Sequence, residues 1–306
     1  MMPGDKNKPL PKPETQSQAR SFRRRLRWVT AIVLLLIAAS GVYTLWRSVG
    51  PRVIGLPQFI VAAEDVHITP PPKWIRTDVR AEVVREINLA GPISILDEEL
   101  GERFYEAFAA HPWVAKVSRV IKRPPAAVDV ELVYRRPVLM VQVTDGLLPV
   151  DADGVQLLTA DFSPLEAMRY PRLVDVGRET PPPAGTRWSD ARVVAAASLA
   201  AALIDAWQEL GLHHLALARQ PPPSAAGPFQ FELFTKEGTC VLWGAAPNSD
   251  GEGQAATADK LSRLRKYHAD HNSLEGSRGP QTIDLRVPHG VPTSPRTAER
   301  PPPRDA

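Results

Sequence analysis

"HPWVAKVSRVIKRPPAAVDVELVYRRPVLMV", His111–Val141, decides how the first folded unit of this 306-residue chain must be built. Pro112 drives His111 out of the helical region, so any helix before it stops there. Trp113 and Val114 then enter a strand, and Lys122–Pro125 reads as a turn. In "AAVDVELVY", Val128, Val130, Leu132 and Tyr134 share one side, with Asp129, Glu131 and Val133 on the other. That alternation predicts a strand with one buried face. Pro137 marks the exit.

Upstream the period changes to that of a helix. Leu100, Phe104 and Phe108 recur at i, i+4, i+8 behind Asp97, a good N-cap residue. Before them Val79, Val83 and Ile87 form a second stripe, capped by Thr77 and ended by Gly91-Pro92. A short strand, Glu64–Ile68, comes first. Strand, helix, helix, strand, strand makes a small sheet with both helices on one face. Trp113 is expected to pack beneath Phe104 and Phe108.

Downstream, "LLPVDADGVQLL", Leu147–Leu158, opens a second unit. Asp151, Asp153 and Gly154 suggest a calcium loop, but position 12 counted from Asp151 is Phe162. Without a bidentate Glu there, a tight turn is the better reading. Ser189 is expected to cap a helix running to Leu210, stopped by Gly211, with Val193, Ala197, Ala200, Leu203, Ile204 and Trp207 inward. Strands follow at His214–Ala218, Pro228–Thr235 and Cys240–Gly244, the last two joined by a turn at Gly238. Thr257–His268 reads as an amphipathic helix with Leu261, Leu264 and Tyr267 inward and Arg263, Arg265 and Lys266 solvated. Thr282–Val287, "TIDLRV", is the expected last strand.

The segment "HPWV", the turn at Arg123-Pro124 and the exit Arg135-Arg136-Pro137, with "VDADG" and the closing "IDLR", resembles the FtsQ/DivIB family of bacterial cell-division proteins. The first unit resembles their POTRA domain. The chain departs from the family at Pro70–Pro72, where a Gly-Asn turn is usual, and at Arg135, where a Glu is usual. The implied fold class is α+β: one N-terminal transmembrane helix, a POTRA-like βααββ domain, then a mixed β domain with two helices on an antiparallel-rich sheet. The implied boundaries are a cytoplasmic basic tail over 1–27, a spanning helix over 28–46, a linker over 47–63, the POTRA-like domain over 64–137, the β domain over 138–291 and a disordered Pro-rich tail over 292–306.

The spanning helix is expected from "WVTAIVLLLIAASGVYTLW", Trp28–Trp46, which carries no charge and has aromatic residues at both ends. The rival is a cleavable signal peptide, since "AAS" at Ala38–Ser40 suits cleavage. Residues 1–27 hold eight cationic side chains against Asp5 and Glu14, a net of +6. The whole chain is only +3, so the remainder is net −3. The pI of 9.1 therefore belongs to one short tail and not to a nucleic-acid surface. Cys240 stands alone, so no disulfide forms within the chain.

Catalytic patterns are missing. There is no Gly-rich phosphate loop, nucleophile elbow or HExxH. His213 and His214 are adjacent and so point differently, and His268 and His271, with Asp270 between them, have no Cys or third His nearby. Asp129 and Glu131 share a strand face that meets water. No cofactor, metal, nucleic acid or small-molecule substrate is expected.

What the resemblance implies is a non-enzymatic inner-membrane scaffold, single-pass with its bulk in the periplasm and found at the division septum. It would link cytoplasmic-side and periplasmic division proteins through an FtsB/FtsL-type coiled-coil pair. The partner would add a strand at the terminal edge: Ile283, Asp284, Leu285, Arg286, Val287 and on to His289. By alternation Ile283, Leu285 and Val287 face the core, while Asp284 and Arg286 face out. The alternatives are a POTRA-bearing envelope protein that assists outer-membrane assembly or secretion, and an anchored periplasmic enzyme.

Overall fold

The computed structural model describes residues 28, 31–47, 57–89, 93–177, 180–218, 229–247, 256–277, 279–287 and 290–296. Near the N-terminus it is helical at Trp28 and over 31–47, with every described side chain exposed. Among the described residues no helix is long and apolar enough to cross a membrane. The expected transmembrane helix at Trp28–Trp46 is thus corrected, and with it the single-pass inner-membrane localisation. Apolar composition favoured the segment, but among the described residues no helix combines the length and the apolar content that a span needs. The tail 1–27 lies outside the described residues.

The first unit has β1 (Val66–Ile68), α1 (Val79–Leu89), α2 (Leu100–Ala110), β2 (Val114–Arg123) and β3 (Ala127–Tyr134). β3 is central, parallel to β1 and antiparallel to β2. Val128, Val130 and Leu132 are buried as the alternation requires. They meet Val79 and Val83 of α1 and Phe104 and Phe108 of α2 in one apolar core. Trp113 is fully buried in that core with Phe104 and Phe108. The caps differ from expectation. Asp78, not Thr77, accepts the Ala81 N–H at 3.0 Å at the start of α1. Asp97 lies just ahead of α2, where its carboxylate binds Glu99 N–H and the Arg103 guanidinium. A short polar acceptor satisfies orphan amides from either position.

The second unit is an eight-stranded mixed sheet ordered β11-β10-β9-β8-β7-β6-β4-β5. Its strands are β4 (Pro137–Val143), β5 (Gly146–Asp151), β6 (Arg172–Leu173), β7 (Leu212–Leu217), β8 (Gln230–Thr235), β9 (Cys240–Ala245), β10 (Gln281–Asp284) and β11 (Thr293–Pro295). Three helices intervene: the one-turn α3 (Pro164–Ala167), α4 (Ala191–Leu203) and α5 (Thr257–His271). α4 is capped by Asp190, one residue later than expected, and it gives way to turns after Leu203. Gly211 (φ +64°) supplies the left-handed residue before β7. Ala196, Ala197 and Ala200 are fully buried, and small side chains let the helix axis approach the sheet. The Asp151 carboxylate accepts the Asp153 and Val155 N–H groups, which makes the tight turn. Gly154 there holds φ +80°, and a Cβ would meet Val194 Cγ2 at 2.8 Å.

The two units are locked together across Leu157–Asp161, which belongs to the second unit by chain order but packs on the first. Leu157 joins the first core. Asp161 is 3% exposed. One of its carboxylate oxygens accepts Arg76 N–H (2.8 Å) and Thr77 N–H (2.7 Å); the other accepts the Trp113 indole N–H (2.6 Å). The Thr77 hydroxyl also reaches it. This is where Thr77 is used. Arg135 pairs with Asp151 at 2.6 Å and braces the same junction.

Candidate functional site

The expected docking edge is built differently from the reading of the sequence. β10 is not the last strand of the sheet. It runs parallel to β9 on one side and antiparallel to β11 on the other. Asp284 N–H donates to the Pro292 carbonyl at 2.9 Å, and Leu285 N–H to the Leu242 carbonyl at 3.1 Å. The backbone of the expected Ile283–Val287 edge is therefore engaged by its own chain. The segment from Pro292, expected to be disordered, instead supplies the outermost strand over Thr293–Pro295.

The side chains follow the predicted alternation. Ile283 and Leu285 are fully buried, while Asp284 and Arg286 turn outward. Arg286 forms a two-pronged pair with Asp284, Nε to Oδ1 at 3.0 Å and Nη2 to Oδ2 at 2.8 Å. That pairing holds the Asp284 carboxyl below its usual range and raises the Arg286 guanidinium. Val287 is half-buried. His289 lies outside the described residues.

Two residues on α5 shape this end of the sheet, and the sequence reading missed both roles. Arg263, expected to be solvated, donates to the Leu285, Val287 and Gly290 carbonyls at 2.8–3.0 Å. It pins the turn between β10 and β11. Lys260 is 2% exposed. Its ammonium donates to the Trp243 carbonyl at 2.9 Å and lies 5.6 Å from the Trp243 ring centroid. Burial lowers its pKa to about 8. A Lys three residues before an Arg on a helix resembles an ordinary solvated face, so only the packing of α5 against β9 reveals them.

β11 itself is short and all its side chains are exposed. Pro280 accepts from Arg296 N–H and Pro292 from Asp284 N–H. The even-numbered residues of this segment thus bond to β10, and Thr293 and Pro295 direct their backbone groups outward. The outer row offers one N–H, from Thr293, with Pro295 closing it.

Several other polar groups among the described residues are paired, stacked or buried. Asp129 pairs with Arg123. Burial pushes the Cys240 thiol up to about 12. His271 stacks on Tyr267 with centroids 4.2 Å apart. Among the described residues no three His, Cys, Asp or Glu side chains gather to hold a metal.

His213 and His214 do organise the sheet. Arg172 donates to His213 Nε2 at 2.7 Å, so Nδ1 carries the proton and faces His214 Nδ1 at 3.1 Å. His214 stacks on Phe234 at 4.7 Å, and Arg296, just after β11, lies 5.0 Å from the same ring. Burial first, then the neighbouring His213 and Arg172, lowers the His214 pKa from 6.5 to about 4. His213 and the buried His111 are lowered too. The unfolded chain binds protons at these sites before the folded one does. Stability is therefore complete above pH 6.5 and falls as the pH drops towards 4. His214 accounts for roughly 2–3 kcal/mol of that loss. Urea denaturation at several pH values checks this, and His214→Gln should flatten the slope between pH 6.5 and 4.

No known family pattern and no curated protein matches this chain.

Proposed function

We propose that this chain is a non-enzymatic docking scaffold that receives a strand from a partner at the β10–β11 end of its large sheet. Its setting, on the resemblance of "HPWV" and "IDLR", is bacterial cell division, with an FtsB/FtsL-type coiled-coil pair as partner. One observation carries the docking reading: the sheet ends in an exposed three-residue strand with one row of backbone groups unpaired. Such a row is a template for another chain. Arg263 and the Asp284–Arg286 pair hold that end in shape before a partner arrives, which lowers the ordering cost of binding.

Thr293→Pro tests the reading, because it removes the outward N–H without breaking a bond to β10. The parent chain should recover a co-expressed FtsB–FtsL pair on pull-down, and the variant should recover at least tenfold less with an unchanged circular dichroism spectrum. Equal recovery by a folded variant would overturn it.

A further inference from the structure

The four sheet edges differ in how they are protected. β2 is long, but register shifts interrupt it between Val114 and Lys116 and between Val117 and Arg119. Exposed Lys116 and Arg119 stand at those irregularities. Bulges and cations are what blunt an edge against pairing. β5 is covered by the returning chain, since Leu157 N–H donates to the Pro149 carbonyl and Asp151 N–H to the Val155 carbonyl. β11 offers a single outward N–H, from Thr293, before Pro295.

β1 is as short as β11 and is followed by Pro70, but no bulge interrupts it and, among the described residues, no returning strand pairs with its outer side. Thr69 N–H donates to the Val130 carbonyl, so in this parallel ladder His67 and Thr69 bond inward to β3. Ile68 N–H and C=O then point away from the sheet. Two hollows, of about 430 and 560 Å³, meet at His67 and Ile68. The first runs between β1 and the start of α1, with Ile75 and Val79 as its apolar floor. Arg80 stands on its wall, half-buried, with no hydrogen bond or ion pair among the described residues. Arg76 lies beside it, held by Glu166 at 2.5 Å. The carboxylate of Asp78, also on the wall, is committed to the Ala81 amide.

We propose that this groove is a second docking site, which takes an extended, acidic segment of a partner protein alongside β1. The segment's backbone bonds to Ile68. An apolar side chain enters over Ile75 and Val79, and a carboxylate two residues along reaches Arg80, because alternate residues of a strand share a face. An unpaired guanidinium half out of water favours an anion over any neutral side chain. The inference stands on β1 alone and does not depend on the cell-division reading.

The test uses the full chain and two blocked peptides, Glu-Val-Glu-Val-Glu-Val and Lys-Val-Lys-Val-Lys-Val. Hydrogen exchange is followed at the Ile68 amide by nuclear magnetic resonance. The acidic peptide should slow Ile68 exchange at least tenfold at saturation, and the basic one should not. Arg80→Gln should weaken the acidic peptide about tenfold, and Arg80→Glu should reverse the preference. The proposal is overturned if Ile68 is protected by neither peptide, if both protect it equally, or if protection appears only at Thr293. It also fails if the folded Arg80 variants behave like the parent.

Discussion

Trp113→Ala is expected to lower the stability of the folded chain by about 3–5 kcal/mol, the usual cost of truncating a buried aromatic. The indole is fully buried and shares one core with Phe104 and Phe108. It also lies 6.1 Å from the Phe162 ring, centroid to centroid. Truncation removes apolar contacts from both units and strips a donor from Asp161. Domains of this kind hold about 5–15 kcal/mol in total, so the loss shows directly as a lower urea midpoint. Trp113→Phe should recover the packing share and not the hydrogen bond. An unchanged midpoint for the alanine variant would mean that this ring does not carry the core.

Asp161→Ala should cost a comparable amount, about 3–5 kcal/mol, by a different route. Each buried donor left without an acceptor costs about 1–3 kcal/mol, and here Arg76 N–H, Thr77 N–H and the Trp113 indole N–H are all stranded. The costs do not simply add, because the three donors share one carboxylate. The diagnostic readout is the shape of the thermal unfolding curve. The parent should melt in one transition, whereas Asp161→Ala should separate the first unit from the second. Asp161→Asn keeps one acceptor oxygen and should fall between the two. Combined with Trp113→Phe, it should show less than additive loss.

The elements of the first unit were legible because their signals are local. Period-2 alternation in β3, the i+4 stripes of α1 and α2 and the Pro112 stop each need fewer than a dozen residues. The Asp161 junction was not legible, since its partners lie 48 to 85 residues away along the chain and a lone Asp carries no periodic signal. β11 was missed because Pro292 and Pro295 give the composition of a tail, and a strand that short alternates too little to be seen. The same omission misplaced the free edge at Ile283–Val287. α4 ends at Leu203 although the apolar i+4 spacing continues to the buried Trp207, as local pattern yields to tertiary packing. The apolar run at Trp28–Trp46 suggests a span by composition, yet no helix among the described residues is long and apolar enough to be one.

The shared carboxylate at Asp161 has a further consequence for partners. It fixes the distance and angle between β1 on one sheet and β11 on the other, with Arg135–Asp151 as a second brace. A partner with a strand for each edge meets a rigid span. Its second contact then forms at an effective concentration set only by its own linker, up to the millimolar range when the linker matches the span and near zero when it is too short. Linker length alone can therefore sort partners that carry identical binding strands.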